Sequence, residues 1–255
     1  MKPDVYDVSV LMAICRYDEH TDLAIDSILR QVGVLVQLVI VVNGARREEI
    51  LQVLRAKYNF DNVKIVECEI AQLSSSLNYG VGFCHSNYVA RMDSDDISSP
   101  FRLQKQLSYM ADNGFDILGC DIDLIGADGH YIGRRHYPSK EEMSKFIFHS
   151  NPFCHPSVVM KKSILLDARG YNSGFASEDY ELWIRIFNRM RDISWGNLNE
   201  SLLSYRIHET DTQGNPLAYA EIAGVFLREF LVSFKAKLLL GMFVFVLKSL
   251  WRRIK

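Results

Sequence analysis

Short β-branched runs alternate with helical patterns over the first half of the chain. The run VSVLMAI (8–14) is β-branched and aliphatic, which is typical of a strand buried on both faces. Similar runs follow at VQLVIVV (36–42), VKIVE (63–67) and YVARM (88–92). The helical pattern between the first two has an apolar face made by Ile25, Ile28, Leu29 and Val32. Strands joined by helices predict an α/β fold with a Rossmann-like, doubly wound, mostly parallel sheet, whose ligands lie beyond the strands' carboxyl ends.

The pattern changes after residue 115. The segment DILGCDIDLIGADGHYIG predicts a hairpin around Asp128-Gly129, a pair suited to a tight turn between antiparallel strands. The segment SEDYELWIRIFNRM (177–190) predicts a helix that begins at Ser177. No linker or low-complexity tract separates the two halves. We therefore expect the second half to add an antiparallel region to the same domain.

Composition narrows the possible functions. A net charge of -2 over 255 residues gives no case for a nucleic-acid partner. The five cysteines are odd in number and lie far apart in apolar contexts, which predicts reduced core residues in a reducing compartment. The N-terminus lacks a hydrophobic run preceded by positive charge, so we expect a cytoplasmic protein.

Three carboxylates crowd into the segment ARMDSDDISSP (90–100), directly after the fourth strand. Asp93, Asp95 and Asp96 could accept hydrogen bonds within a tight turn, or they could bind a cation. Their place at a strand end favours a hard cation such as Mg²⁺ or Mn²⁺, which prefers oxygen ligands. Asn43 ends the second strand, so it should face the same crevice, although Asn43-Gly44 could also be a simple turn.

A second acidic pair, Glu178 and Asp179, occupies the first turn of the helix after Ser177. These carboxylates could simply interact favourably with the helix dipole. The dipole also favours an ionised carboxylate, which is what a general base needs. His155 and His208 are each most simply interpreted as structural histidines.

In their order and spacing, these motifs resemble those of an inverting family 2 glycosyltransferase of the A-type, nucleotide-diphospho-sugar transferase fold. The resemblance spans roughly residues 7–210. It is carried by VSVLMAICRYDE, AIDSILRQ, LVIVVNG, SSLNYGVGFCHSNYVARMDSDDISSPFRLQKQ, NPFCHPSVVMKKS, GYNSGF, ASEDYELWIRI and LLSYRIH.

The resemblance implies a role for particular residues. Asp179 would be the catalytic base with Glu178 beside it, and Asp93, Asp95 and His208 would bind Mn²⁺ or Mg²⁺. His155 and Trp183 would lie in the acceptor or diphosphate region. The implied contacts to the donor nucleotide are Ala13, Cys15, Arg16, Asp18, Asn43, Asn78, Arg91, Asp93 and Ser94.

Departures from the family pattern concern the nucleotide pocket. The family commonly has proline where this chain has Ala13, asparagine near Arg16, and aspartate where Asn43 stands. The Asn43 carbonyl can still accept from a uracil N–H, but the amide adds a donor that a carboxylate lacks.

The resemblance implies an enzyme that moves a sugar from a nucleotide-diphosphate sugar, most simply a UDP-sugar, to an acceptor hydroxyl with inversion. The acceptor would be a glycan or lipid-linked glycan of a bacterial surface polysaccharide such as O-antigen, capsule or lipooligosaccharide. Residues 1–215 would form the glycosyltransferase domain, with a nucleotide-sugar-binding half (1–115) and an acceptor-binding half (116–215).

The last forty residues, 216–255, form a basic and apolar helical segment. Its longest uncharged run, residues 238–247, is far shorter than the roughly 20 residues that span a bilayer. The basic residues and Trp251 could meet anionic headgroups, which predicts a peripheral contact with the inner face of the cytoplasmic membrane. The alternative is a helix packed on the domain or on a partner chain in a homodimer.

Two other functions fit parts of the pattern. A sugar nucleotidyltransferase could use the same sheet and metal carboxylates, but CRYDEHTD lacks the glycine-rich, basic phosphate loop of that class. A non-catalytic nucleotide-sugar-binding module is the other alternative. The presence of both a metal cluster and a candidate base weighs against it.

Overall fold

The computed structural model describes residues 6–172, 176–207 and 215–254. Strands and helices alternate through the first half as the sequence predicts. Its elements are β1 (Val8–Ile14), α1 (Glu19–Leu29), β2 (Val36–Val42), α2 (Arg47–Lys57), β3 (Val63–Glu67), α3 (Leu73–Val81), β4 (Tyr88–Met92), the short β5 (Ile97–Ser98) and α4 (Arg102–Asn113).

The second half mixes antiparallel strands with helices. Its elements are β6 (Ile117–Ile125), β7 (Tyr131–Arg135), α5 (Met143–Phe146), a 3-10 turn (His155–Ser157), β8 (Val159–Lys161), α6 (Lys162–Asp167), α7 (Glu178–Arg189), β9 (Trp195–Arg206), α8 (Pro216–Ser233) and α9 (Lys237–Ile254).

Within the described residues, nine strands form one sheet, which confirms the predicted fold class. Eight strands follow the order β3-β2-β1-β4-β8-β6-β9-β5, and β7 pairs with β6. The first four strands are parallel, whereas β8 is antiparallel to both β4 and β6. The predicted hairpin joins β6 to β7, with Gly129 at a positive φ of 84° in its turn. The antiparallel strands therefore continue the parallel sheet.

Both faces of β1 and β2 are buried, whereas the edge strand β3 has exposed and half-buried positions. Leu11 and Val41 point into a core that α3, α7, α8 and α9 share, whereas Val10 and Ile40 point into a second core beneath α1, α2 and α4. Strands covered on both sides favour apolar residues, because neither face meets water. This is why β1 and β2 are largely apolar; their two buried polar residues bond each other, with the Ser9 hydroxyl donating to Oε1 of Gln37 (2.6 Å).

Two sequence predictions on the first half are wrong. Val32 does not extend the buried face of α1, because the helix ends at Leu29 and the Val32 side chain is 46% exposed. Its backbone N–H donates instead to the carbonyl of Pro100 (2.8 Å). Cys15 is exposed because it lies in the loop after β1, whereas the other four cysteines are buried.

The C-terminal segment consists of two helices that pack as a hairpin. The break between α8 and α9 is at Phe234, whose φ of 53° is left-handed. The helices approach closely at Gly241, where an added Cβ would lie 2.7 Å from the Phe226 ring. Across the described residues, none of the helices combines the length and apolar character that a membrane crossing requires.

Candidate active site

The carboxyl ends of β2, β1 and β4 lie side by side. Val42 pairs with Ile14, and Met12 pairs with Met92, so the loops after these strands leave the sheet at one edge. These loops begin with Asn43, Cys15 and Asp93 respectively. The predicted crevice therefore exists, and it gathers residues that are far apart in the sequence.

Asn43 is held in one orientation at this edge. Its side-chain Nδ2 donates to Oγ of Ser76 on α3 (2.6 Å), and its backbone N–H donates to the carbonyl of Ile14 (2.9 Å). The next residue, Gly44, has a φ of +87° and passes close to the backbone of Cys15. Oδ1 of Asn43 is buried and has no partner among the described residues. A buried acceptor without a donor is costly, so this oxygen is available to a ligand N–H.

The acidic turn after β4 is fixed by Arg206 at the end of β9. The Arg206 backbone N–H donates to Oδ1 of Asp96 (2.9 Å), and its Nε donates to the carbonyl of Asp95 (2.9 Å). The same guanidinium also donates to the carbonyls of Gly126 and Ala127 (2.9 Å each). Arg206 thus connects the acidic turn to the β6–β7 turn, and it orients the carboxylates that precede Asp96.

The three carboxylates of the turn differ in environment. Asp96 is buried; desolvation, followed by the charges of Asp93 and Asp95, raises its pKa well above the usual range. Asp93 is partly exposed and accepts a hydrogen bond from the buried guanidinium of Arg91. Asp96 is therefore a structural member of the turn, and Asp93 is the one that faces the cavity.

Glu178 and Asp179 begin α7, on the other side of the crevice. Nδ2 of Asn151 donates to Oδ2 of Asp179 (2.7 Å), and the backbone N–H of Tyr180 donates to Oδ1 (2.7 Å). Burial raises the pKa of Asp179, while these two hydrogen bonds oppose the rise. Burial and the neighbouring Asp179 charge raise the pKa of Glu178 to about 7. Two adjacent carboxylates therefore differ in how readily they ionise.

His155 lies beneath Glu178. Its Nε2 is 3.0 Å from the hydroxyl of Tyr171, and its Nδ1 is 4.0 Å from Oε1 of Glu178. Burial, with the charge of Arg91, lowers the pKa of His155 well below its usual value. The ring is therefore neutral at physiological pH, and it takes part in the site through hydrogen bonding.

One cavity of about 680 Å³ reaches from Arg91 and Asp93 to the start of α7. Five of the sequence-predicted residues line it. They are Arg91, Asp93, His155, Glu178 and Asp179. The C-terminal hairpin supplies another part of the wall through Tyr219, Phe245 and Lys248. The carboxylate after β4 and the carboxylates of α7 therefore face a common space.

Three of the residues expected at the site have structural roles instead. Asp18 caps α1, with Oδ1 accepting from the backbone N–H groups of His20 (3.0 Å) and Thr21 (3.3 Å). The Asn78 amide bonds both the N–H and the carbonyl of Tyr171 (2.8 Å each). Trp183 is fully buried behind the site. We therefore treat Asn78 and Trp183 as residues that support the site without facing its cavity.

The remaining predicted residues lie at the crevice edge or outside the described chain. Cys15 and Arg16 are exposed in the loop after β1, Ala13 is half-buried at the end of that strand, and Ser94 is half-buried in the acidic turn. His208 lies outside the described residues.

Asn151 and Arg206 hold the site in place, although the sequence predicts no role for either. Both lie in motifs that carry the family resemblance, NPFCHPSVVMKKS and LLSYRIH. Their roles are not visible in the sequence because each bonds a partner distant in the chain: Asn151 bonds Asp179, and Arg206 bonds Asp95 and Asp96. Such pairs become visible only once the sheet order is known.

The donor set at the acidic turn fits a divalent cation that shares its coordination with a ligand. In the described part of the chain, no three His, Cys, Asp or Glu side chains come together as a metal site. Asp93 and Asp95 offer oxygen ligands only, and their charges raise the pKa of Asp96, so negative charge accumulates at this turn. Mg²⁺ and Mn²⁺ bind through one or two carboxylates and complete their shell with water and phosphate.

Comparisons with known proteins agree with this geometry. Glycosyl transferase family 2 matches residues 9–167. The O-antigen biosynthesis glycosyltransferase WbnJ of Escherichia coli is 47% identical over 225 residues, which cover 88% of this chain and 89% of that protein. An Escherichia coli protein named UDP-Gal:alpha-D-GlcNAc-diphosphoundecaprenol beta-1,3-galactosyltransferase is 28% identical over 86% of this chain and 82% of its own length.

A solved structure shows the same fold at low identity. The mannosyltransferase PcManGT from Pyrobaculum calidifontis, in complex with GDP-Man and Mn²⁺, superposes with a TM-score of 0.68 and 11% identity. The match covers 97% of this chain and 74% of that one. The family match covers more than half of this chain and includes the sheet edge with its acidic turn. The chain belongs to glycosyl transferase family 2.

Proposed function

We propose that the protein transfers a sugar from a nucleotide-diphosphate sugar to an acceptor hydroxyl and inverts the anomeric centre. The observation that carries this proposal is the shared cavity, which has Asp93 and Arg91 on one side and Asp179 on the other. The reaction would use carboxylates at two places, one that holds the metal and the donor and one that activates the acceptor hydroxyl. Residues 1–115 would bind the donor, and residues 116–215 would bind the acceptor.

The nucleotide would bind at the carboxyl ends of β2, β1 and β4. Oδ1 of Asn43 would accept a ring N–H of the base, because Nδ2 is already bonded to Ser76. A uracil base fits this acceptor, and the relative whose name includes UDP-Gal supports a UDP-sugar donor. Ala13, Cys15, Arg16 and Ser94 would complete the pocket.

Asp93 and Asp95 would hold Mn²⁺ or Mg²⁺ together with the donor diphosphate. When bound, such a cation neutralises the negative charge that develops on the departing nucleoside diphosphate. The PcManGT complex, whose structure contains both GDP-Man and Mn²⁺, supports this assignment by its shared fold. Arg206 would hold the two carboxylates in position through its hydrogen bond to the backbone carbonyl of Asp95.

Asp179 would act as the general base. The acceptor hydroxyl oxygen attacks C1 of the sugar, its proton passes to the Asp179 carboxylate, and the C1–oxygen bond to the diphosphate breaks with its electron pair on oxygen. One displacement inverts C1. Asn151 holds Oδ2 of Asp179, and the bonds from Asn151 and Tyr180 favour the ionised form that a base needs.

The acceptor would be a lipid-linked glycan in the assembly of a bacterial surface polysaccharide. The O-antigen relative at 47% identity supports the pathway class. The outer face of the α8–α9 hairpin supports a peripheral membrane contact. Its exposed apolar side chains on α9 are Leu240, Phe243, Val246, Leu247, Leu250 and Trp251, and Lys235, Lys237, Arg252 and Arg253 are exposed beside them.

The first experiment is to incubate the purified protein with UDP-, GDP- or dTDP-sugars in Mn²⁺ or EDTA and to measure the release of nucleoside diphosphate. We expect metal-dependent release from one donor class, lost in Asp95→Ala. Pyrophosphate formed from a sugar phosphate and a nucleoside triphosphate would instead indicate a sugar nucleotidyltransferase. Nucleotide-sugar binding without release, with or without a lipid-linked acceptor, would indicate a non-catalytic binding module.

A further inference from the structure

The α8–α9 hairpin lies beyond the family-matched residues 9–167, yet it forms part of the cavity wall. Helix α9 has two chemically different faces. Phe245 and Lys248 line the cavity, whereas Phe243 and Leu247 are 59% and 66% exposed on its outer face. One helix therefore borders both the substrate space and the surface proposed for the membrane.

Lys248 places a positive charge in the part of the cavity wall that α9 forms. Its ammonium lies 4.9 Å from the ring centroid of Phe245 and 5.9 Å from that of Tyr219, and it donates to the carbonyl of His149. No carboxylate of the described residues forms an ion pair with it, and burial lowers its pKa. An ammonium has three donors, so Lys248 keeps hydrogen-bonding capacity for an anion.

Lys248 lines the same cavity as the residues proposed to bind and activate the acceptor. Its partner His149 is two residues from Asn151, whose amide holds the proposed base Asp179. Ser150, between them, also lines the cavity. An anion bound at Lys248 would therefore share the cavity with Asp179 and lie on the wall that α9 forms.

From this geometry we infer that Lys248, with the rings of Tyr219 and Phe245, forms a binding site for the phosphate that joins the acceptor sugar to its lipid. The ammonium pairs with the phosphate oxygens, and the rings pack against the adjacent sugar or the first lipid carbons. The lipid then continues past α9 to the membrane. This inference rests on the proposed function, and it adds that the acceptor carries a phosphate which Lys248 binds.

The test measures binding and turnover separately. Wild type, Lys248→Gln, Lys248→Arg and the exposed control Lys145→Gln are titrated calorimetrically with GlcNAc-diphospho-farnesol and with phosphate-free farnesyl GlcNAc, both in detergent. We expect Lys248→Gln to weaken binding of the diphosphate about tenfold or more, since a hydrogen bond to a charged group contributes about 1.5–3 kcal/mol. Lys248→Arg should recover much of the loss, and the phosphate-free ligand should bind all four proteins alike.

An equal loss for both ligands would overturn the inference, because Lys248 would then act only on the shape of the cavity. If Lys248 contacts lipid headgroups instead, Lys248→Gln would weaken sedimentation with phosphatidylglycerol vesicles and leave diphosphate binding in detergent unchanged. That outcome would also overturn the inference. Turnover distinguishes the two proposals. Lys248-dependent diphosphate binding without any sugar transfer would contradict the proposed reaction and support the phosphate site.

Discussion

Glu178 and Asp179 are adjacent in the sequence but differ in their hydrogen bonds. Asp179 accepts from both Asn151 and the Tyr180 backbone, which favour its charged form. Glu178 lies close to the neutral His155 and has a pKa raised to about 7. This difference in environment, which the sequence does not show, supports the proposal that Asp179 is the base.

Asp179→Asn should keep donor binding and lose turnover. The amide has nearly the same shape but cannot take the acceptor proton, and a general base contributes about 10²- to 10⁴-fold to the rate. Steady-state transfer and donor titration measure the two properties separately.

The control for this substitution is Asp112→Asn, the same chemical change on the exposed surface of α4. It should affect neither property. Loss of donor binding in Asp179→Asn would contradict the assigned role, because the base should contact only the acceptor.

Glu178→Gln should stabilise the protein at high pH and leave it unchanged at low pH. The pKa of Glu178 rises from 4.5 to about 7 on folding. Between these values the folded state keeps a proton that the unfolded state has lost, so this group's contribution to stability falls as the pH rises. Above pH 7 the full penalty applies, and glutamine avoids it because it does not ionise.

The shift from 4.5 to about 7 at about 1.4 kcal/mol per pKa unit gives an expected gain of about 3.5 kcal/mol at pH 8. That should raise the Tm by about 7–14 °C for a chain of this size. Thermal melts at pH 4 and pH 8 measure the difference. An equal rise at both pH values would indicate a packing effect of glutamine and contradict the electrostatic explanation.

At the scale of elements, a buried ionic cluster joins α7 to α8. Glu229 on α8 is fully buried and accepts from Nδ2 of Asn188 (2.9 Å) and from Arg189 on α7 (2.7 and 2.8 Å). Oε2 of Glu221 on α8 also accepts from the Ser177 hydroxyl (2.6 Å), at the N-terminus of α7. The hairpin therefore holds the helix that carries Asp179.

Glu229→Leu should lower stability by about 2 kcal/mol. Removing one member of a buried charged cluster leaves its partners unpaired. The loss stays moderate because Arg189 and Arg228 are 43% and 40% exposed and can regain water. Urea denaturation gives the free energy of unfolding. The control, Glu200→Leu, removes an exposed carboxylate and should change stability little; an equal loss in both would contradict the role of burial.

Regular elements were predictable because their signals are local. Continuous β-branched runs identified β1 to β4, and Asp128-Gly129 identified the β6–β7 hairpin. Asn188 and Arg189 are adjacent but lie 41 and 40 residues from Glu229, so no periodicity connects them to it. Ser177 was correctly placed at the start of α7, but its hydroxyl bonds Glu221 and makes no capping bond.

At the scale of the whole molecule, the outer face of the α8–α9 hairpin is the main exposed apolar surface that the fold leaves uncovered within the described chain. The sequence indicated an apolar, basic segment too short to cross a bilayer. It did not show that the segment folds back at Phe234, so that one side of each helix packs on α7.

Replacing Phe243, Leu247 and Trp251 together by glutamine should weaken binding to phosphatidylglycerol vesicles about tenfold or more. Their burial in the acyl boundary contributes roughly 25 cal/mol per Å² of apolar area. Vesicle sedimentation at low and high salt checks this, and salt should weaken wild-type binding by screening the lysines and arginines.

The matched control replaces the exposed Leu35 and Ile70 of the first half by glutamine and should bind vesicles as wild type does. A wild-type dimer that becomes a monomer in the triple variant, without vesicle binding in either, would identify the face as a subunit interface instead.

The hairpin also has a consequence for how new enzymes of this kind can arise. The crevice proposed for the nucleotide is built from β1, β2 and β4, whereas part of the cavity wall comes from α8 and α9, which follow the sheet in the chain. Under the proposed function, the choice of donor and the choice of acceptor would therefore be encoded in separate stretches of the gene. Recombination after β9 could exchange one acceptor for another while the donor stays the same.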